Sequence, residues 1–329
     1  MQKILTVQSH TIHGYVGNKA STFPLQLAGW DVDAFNTVQL SNHTGYGTTR
    51  GIKFSAEQLR EQWEGLQHLK LAYTALLTGY VPTPEGVEQV GRVGLDLKQA
   101  NPRVLWVLDP VLGDDGRYYV SEQVLPVYRQ LIASGQVDLV TPNQFEAEAL
   151  TGLTIKTPED VALVFAKLHE HMDQAIISSV KYANEPGYIY SYGSAIVDKA
   201  TRQTRQFYIR YPGLESYFTG TGDLFAALTV DRYYKARVAA EAEEQQSTKD
   251  AAEVLALTMT QVLTTVQRVL KRTCANNARA AAAAGDTVRP GRMGDIESMK
   301  HSELNIVHCK DLFEAATDSV DLEFQVTYI

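Results

Sequence analysis

The amino-acid sequence predicts an α/β protein with a mostly parallel central sheet, helices on both faces and a few antiparallel strands. Three observations carry this reading. Strand-like apolar runs alternate with helical stretches through the first 230 residues, the pattern of strand–crossover–strand units. Polar residues fall where those strands end, at Ser9, Asp109, Thr141, Asn143, Ser178 and Ser179. In open α/β sheets that edge is where ligands bind. Finally, Gly220-Thr221-Gly222-Asp223 opens an apolar helix beginning Leu224-Phe225-Ala226. The first N–H groups of a helix lack intrahelical partners and carry partial positive charge, so a glycine-rich helix start suits an anion such as phosphate.

The elements follow in order. Ile4–Gln8 reads as a buried strand, Asn18–Ala28 as a helix stopped by Gly29, and Val32–Val38 as the next strand. Ser55 caps a helix to Leu66, because a serine hydroxyl can accept from an unpaired N–H of the first turn. Tyr73–Thr78 is a strand ending at Gly79, and Pro84–Ala100 is a helix. Val104–Leu108 and Val137–Val140 are strands, each closed by a residue pair ending in proline. The helix Pro158–His171 precedes the strand Ala175–Ser179. Then the pattern changes. Gly187–Tyr192, Ala195–Asp198 and Gln206–Tyr211 read as antiparallel strands with turns between them. The helix opened by Gly220–Asp223 is expected to reach about Lys235. Leu255, Met259, Val262, Val266 and Val269 mark an amphipathic helix over Glu253–Arg272. Leu304–His308 and Glu323–Tyr328 are candidate edge strands. Residues 236–250 and 279–294 are polar or alanine-rich and are expected to be flexible insertions in one domain spanning 1–329.

Composition narrows the function. The chain has 329 residues, 44% of them hydrophobic, which supports a packed core. A net charge of −8 argues against a nucleic-acid or membrane surface. The two cysteines, Cys274 and Cys309, lack metal-ligand spacing. The N-terminal apolar run is too short for a signal peptide and no run has transmembrane length. A cytoplasmic setting is expected, with the nucleus left open.

The sequence contains no Walker A run, and Arg50 stands where a dinucleotide fingerprint after Gly45-Tyr46-Gly47 would need glycine. A nucleotide phosphate would therefore use the helix start at Gly220. Asp223 cannot itself bind phosphate. It serves either as a base toward the group that attacks phosphorus or simply as a helix cap. Asp109 and Asp114 place two carboxylates five residues apart after a strand, and Thr141-Pro142-Asn143-Gln144-Phe145-Glu146 follows another. Such oxygen ligands suit Mg²⁺, although Asp-Pro is also a common turn and Asn143 a common cap. His10, His13 and His43 lie in two Gly-containing loops and are read as loop hydrogen-bonders rather than a metal trio.

Together, Val7–Gly47, Leu76–Val81, Leu108–Val120, Val140–Gly152 and Phe218–Leu228 resemble pyridoxal kinases of the ribokinase-like superfamily. The segment Ser9–Asn18 is the specific part, since other kinases of that superfamily share only the Gly-Thr-Gly-Asp run. The resemblance implies a ribokinase-like three-layer α/β/α sandwich and ATP-dependent phosphorylation of the 5′-hydroxyl of pyridoxal, pyridoxine or pyridoxamine, a step of vitamin B6 salvage. It implies Mg²⁺ or another divalent ion, a monovalent K⁺ or Na⁺, and a homodimer, with no nucleic-acid or membrane partner. By position, Ser9 matches the residue that bonds the pyridine ring. Val16 and Leu40 match ring-packing positions, Thr44 a substrate contact and Tyr80 a stacking residue. Asp109, Tyr119, Asn143, Ser178 and Ser179 fall on the ATP side, and Asp114, Thr141 and Glu146 on the cation side. Leu214–Ser216 fall near the adenine. Gly220, Thr221 and Gly222 match the anion hole and Asp223 the catalytic base.

Two other functions stay open at this level: a kinase acting on a hydroxymethylpyrimidine, and a catalytically silent B6-binding protein. Leu40 stands where the family often has Phe, and the loop after Gly113 is shorter than in animal-type members. The C-terminal third matches weakly.

Overall fold

A computed structural model describes residues 2–242, 250–283, 285, 287–314 and 322–329. The first half comprises β1 (Gln2–Thr11), α1 (Asn18–Leu27), β2 (Trp30–Leu40), β3 (Gly51–Lys53), α2 (Ala56–His68), β4 (Ala75–Thr78), α3 (Pro84–Ala100) and β5 (Leu105–Leu108). A small hairpin of β6 (Gly113–Asp114) and β7 (Arg117–Tyr118) follows, then α4 (Val124–Ala133), β8 (Leu139–Val140), α5 (Gln144–Thr151), α6 (Pro158–Leu168) and β9 (Gln174–Val180). The chain continues with β10 (Tyr188–Asp198), β11 (Gln203–Pro212), α7 (Thr221–Ala242), α8 (Ala251–Ala283), α9 (Ile296–Lys300), α10 (Lys310–Glu314) and β12 (Val326–Tyr328).

Ten strands form one sheet in the order β12-β11-β10-β9-β8-β5-β4-β1-β2-β3. The run from β9 through β8, β5, β4 and β1 to β2 is parallel, while β3 and β10–β12 pair antiparallel. Side chains alternate across a strand, and here each alternate set meets its own helical layer. Leu5, Leu76 and Trp106 point into a core with α2–α6. Their neighbours Ile4, Leu77 and Leu105 point into a second core with α1, α7 and α8. The result is the expected α/β/α sandwich of the ribokinase-like type. Among the described residues no helix is long and apolar enough to cross a membrane.

Local chemistry sets the helix starts. Ser55 and Gln58 form a reciprocal capping box on α2. Thr83 accepts from Gly86 N–H at the start of α3, where Pro84 fills the first turn without a wasted donor. Trp106, fully buried on β5, donates to Thr78 Oγ1 at 3.1 Å.

Several expectations are corrected. The two strands drawn over 187–198 are one strand, β10. Gly193 is not a turn. It sits under the Phe207 ring, where a Cβ would come within 2.3 Å of Cζ. Leu304–His308 is not an edge strand, because Leu304, Ile306 and Cys309 turn into the second core and Ile306–Cys309 is a 3₁₀ turn. Residues 236–242, read as part of a loop, continue α7, and 279–283 continue α8, as alanine-rich sequence favours. Residues 243–249, within the first expected insertion, lie outside the described residues. Within the second expected insertion, Gly294 N–H donates to Gly45 O at 2.8 Å. The strand at the C-terminal end is present as β12, paired with β11.

Gly94 of α3 faces Trp106 so closely that a Cβ would lie 2.2 Å from its ring. Gly94→Ala gains about 1 kcal/mol of helix propensity, but overpacking a rigid aromatic costs about 1–3 kcal/mol. With Trp106 held on every side, the clash should win, and thermal unfolding should show a lower midpoint for the variant.

Candidate active site

The chain reverses direction across the sheet at β1, which is flanked by β2 on one side and β4 on the other. Loops leaving the carboxyl ends of these strands diverge there, the usual place for a ligand crevice. A cleft of about 400 Å³ lies along this edge. The residues matched by position to catalytic, substrate, nucleotide and cation roles line it, apart from Glu215, while His10 and His13 do not. Ser9, Val16, Leu40, Thr44 and Tyr80 lie on the side of β1 and β2. Asp109, Asp114, Tyr119, Thr141, Asn143, Glu146, Ser178 and Ser179 lie toward β5, β8 and β9, and Gly220, Thr221, Gly222 and Asp223 form the start of α7. Leu214 and Ser216 line it as well.

The helix start is built by close packing. Gly220 has φ +79°, and a Cβ on it would fall 1.8 Å from the carbonyl oxygen of Tyr15 in the β1–α1 loop. Only glycine allows this approach, which sets the first turn of α7 against that loop. Leu224 N–H returns to Gly220 O at 3.0 Å, leaving the preceding N–H groups at the helix end facing the cleft. Thr221 Oγ1 is shielded from solvent and has no hydrogen-bond partner among the described residues. A buried hydroxyl without a partner costs free energy unless a ligand supplies one.

Three carboxyl groups line the cleft at this helix end, Asp223 within its first turn and Asp109 and Glu146 from the ends of other elements. Asp109 and Glu146 are buried, and Asp223 is partly open to the cleft. Burial pushes Asp109 well above the ordinary aspartate value, and the charges of Glu146 and Asp223 add to the rise. The Thr141 hydroxyl beside it offsets the rise in part, although Thr141 Oγ1 is buried with no hydrogen-bond partner among the described residues. Burial also raises Glu146, against backbone N–H groups of Asn143, Leu112 and Gly113. Asp223 is raised by desolvation, offset by the Gly17 N–H and by His43. A carboxylate made more basic in this way, beside a group of hydroxyl-binding loops, suits proton abstraction.

Asn143 and Glu146 have a second duty. Asn143 Oδ1 accepts from Glu146 N–H and Glu146 Oε2 accepts from Asn143 N–H, both at 2.9 Å, capping α5. Asn143 Nδ2 donates to Gly113 O at 2.8 Å, and Glu146 Oε1 accepts from Leu112 N–H at 2.9 Å. The cap therefore also anchors the β6–β7 hairpin. Asp115 (φ +46°) and Gly116 (φ +75°) make its tight turn. Tyr119 lies just beyond, and Tyr217, which lines the same cleft, directs its hydroxyl to Met293 Sδ at 3.7 Å.

The three histidines do not form a metal site, and no cluster of three metal-ligating side chains occurs among the described residues. His43 and Tyr46 share a carboxylate with Tyr15 N–H, that of Glu303. Sequence reasoning missed Glu303, Tyr217 and Met293, and also Leu263, Val266 and Leu270 of α8, which line the cleft. For α8 a signal existed in its apolar stripe, read only as core. Glu303 carries no local signal.

Fold and site together define a small-molecule kinase of the ribokinase-like class: an anion-binding helix start, a basic carboxylate beside it, and a crevice open to two ligands. Comparison with known proteins agrees. The phosphomethylpyrimidine kinase family model matches residues 37–270. The chain is 36% identical over 310 residues to the pyridoxal kinase of Homo sapiens, covering 88% of this chain and 90% of that one. It is 42% identical over 228 residues to the pyridoxal kinase of Arabidopsis thaliana, covering 69% and 72%. Pyridoxal kinase from Leishmania donovani, solved with ADP and pyridoxamine, superposes with a TM-score of 0.80 at 29% identity over the whole of both chains. The chain belongs to the pyridoxal kinase family.

Gly220→Ala is expected to move the helix start away from Tyr15. Misplacement of a catalytic constellation by about 1 Å typically costs on the order of 10²-fold in rate. Steady-state phosphorylation should fall at least that far, while circular dichroism stays unchanged.

Proposed function

We propose that this chain transfers the γ-phosphoryl group of ATP to the 5′-hydroxyl of pyridoxal, with pyridoxine and pyridoxamine as alternative acceptors. The observation that carries this is the position of Asp223. It lies in the first turn of α7, between the loops of β1 and β2 on one side and the polar ends of β5, β8 and β9 on the other.

In this reading the acceptor ring lies against Ser9, Val16, Leu40 and Tyr80. Asp223 takes the proton of the 5′-hydroxyl as its oxygen attacks phosphorus. The free N–H groups of Gly220, Thr221 and Gly222 hold the charge on the transferring oxygens, and the orphaned Thr221 hydroxyl gains a partner there. Such preorganised donors are effective because they need no rearrangement as charge develops.

A divalent cation fits the donor set. Asp109 and Glu146 are buried carboxyls; burial raises Asp109 and the charge of Glu146 adds to the rise, and among the described residues neither has a lysine or arginine partner. Mg²⁺ commonly binds through one or two carboxylates, phosphate oxygens and water. Asp114, Thr141 and Glu146 would hold it, and when bound it would neutralise charge on the phosphate oxygens. A monovalent cation, a cytoplasmic setting and a homodimer belong to the same proposal. For the dimer, exposed Ile12 and Ile52 near the end of β2 offer apolar surface.

The name of the matching family model keeps a hydroxymethylpyrimidine in view as an acceptor, and a panel of both substrates decides. Asp223→Ala should bind pyridoxal nearly as the wild type does. Its turnover should drop by about 10²- to 10⁴-fold, the usual general-base contribution. Near-normal turnover would remove Asp223 from the role of base.

A further inference from the structure

Glu303 lies eighty residues beyond Asp223, in the short stretch between α9 and the 3₁₀ turn at Ile306–Cys309. Its position is set by backbone. Thr219 N–H donates to Ser302 O at 3.0 Å, and Thr219 and Glu303 form an isolated parallel bridge. The residue that leads into Gly220 thus holds Glu303 in place. Glu303 as a residue is 8% exposed.

Four donors converge on it. Glu303 Oε2 accepts from Tyr15 N–H at 2.8 Å and from Thr219 Oγ1 at 3.5 Å. Oε1 accepts from His43 Nε2 at 2.8 Å and Tyr46 Oη at 2.9 Å. Gly45 N–H donates to His43 Nδ1 at 3.2 Å, so that nitrogen is the acceptor and Nε2 carries the proton toward Glu303. Tyr46 stacks close to His43, with ring centroids 4.7 Å apart. Burial pushes the Glu303 carboxyl up, but His43, Tyr15 N–H and Tyr46 outweigh it and hold it below the ordinary value. One ionised group therefore joins three segments: the β1–α1 loop, the loop after β2, and the strand entering the anion hole.

We propose that Glu303 is a positioning residue for the acceptor pocket, fixing the loops that present Val16 and Thr44 relative to Gly220. The assignment rests on the pyridoxal kinase reading. Val16 follows Tyr15 directly, and Thr44 lies between His43 and Gly45. Among the described residues Glu303 bonds no group of the nucleotide side: its partners there are on the acceptor side or at the entry to the anion hole. An ionised carboxylate is purely an acceptor and can satisfy all four donors. A glutamine offers one oxygen and turns an NH₂ group toward two donors, so it must release one of the loops.

The test compares wild type, Glu303→Gln and Tyr46→Phe, varying pyridoxal and ATP separately. Loss of charge-assisted bonds of this kind should raise the pyridoxal KM of Glu303→Gln by about 10- to 100-fold. The ATP KM should stay within about twofold. Tyr46→Phe removes one donor with almost no change in volume, and should raise the pyridoxal KM by about three- to tenfold with the ATP KM unchanged. Unchanged pyridoxal KM values in both variants would overturn the proposal. So would a parallel loss on both substrates that follows the lost folded fraction in thermal unfolding. A Glu303→Gln chain that fails to fold leaves the decision to Tyr46→Phe. If the wild type binds pyridoxal but transfers no phosphate, the kinase reading fails. The ratio of pyridoxal Kd values, read from the shift in its absorbance, then still decides the role of Glu303.

Discussion

The constraint on which the site depends is the crowding of negative charge at one end of a buried sheet. Asp109 and Glu146 sit in the interior, and Asp223 stands above them at the helix start. Placing like charges together out of water is unfavourable, and proteins keep such arrangements only where something else compensates. Backbone N–H groups from Leu112, Gly113 and Asn143 compensate Glu146, and the Gly17 N–H compensates Asp223. Asp109 has much less, and its carboxyl is accordingly pushed well above the ordinary aspartate value by burial, with the charges of Glu146 and Asp223 adding to it. The loops around these carboxyls are thereby committed. They must turn their amides inward, and that choice shapes the cleft.

The parallel sheet makes this commitment possible. Each parallel strand delivers its carboxyl end to the same edge, so β1, β4, β5, β8 and β9 contribute loops to one crevice. The helix start of α7 faces that edge from the second core, held by Gly220 against Tyr15. Asp223 then stands in the cleft between the β1 and β2 loops and the polar ends of β5, β8 and β9. Proximity of this kind supplies a large part of what phosphoryl-transfer enzymes need, because the protein contributes position and charge rather than covalent chemistry.

Much of this was legible in the sequence because it is governed by local rules. The strand–helix alternation, the cap at Ser55 and the glycine-rich helix start are all read within a few residues, and the structure places them as read, although β1 and β9 run on past the ends read for them, to Thr11 and Val180. What escaped depends on partners far away in the chain. Gly193 looks like a turn until Phe207 is seen lying over it. Leu304–His308 has the apolar content of a strand, but the second core, not a ladder, takes its side chains. The alanine-rich and charged stretch from Ala236 reads as a polar insertion, yet its composition is also that of a good helix, which is what α7 makes of it to Ala242. Glu303 is the extreme case. Its four partners come from residues 15, 43, 46 and 219, and no spacing rule links a carboxylate to donors so remote.

The cover of the nucleotide side follows from the same economy. The capping box of α5 would form in any helix with Asn and Glu so spaced. Here its spare groups are spent on the β6–β7 hairpin, through Asn143 Nδ2 to Gly113 O and Glu146 Oε1 to Leu112 N–H. Phe145 of the same helix meets the Tyr118 ring edge-on at 4.9 Å. The base of the hairpin is thus tied to the buried carboxyl of Glu146, whereas its tip, at Asp115 and Gly116, is exposed and pairs with Lys181 across a solvated gap. A surface pair of that kind contributes about 0–1 kcal/mol, far less than the buried bonds at the base. Motion of the hairpin should therefore concentrate at the tip and at Tyr119, with the carboxyls beneath left in place. A short hairpin anchored in this way can move over the cleft without dismantling the buried carboxyl cluster at its base.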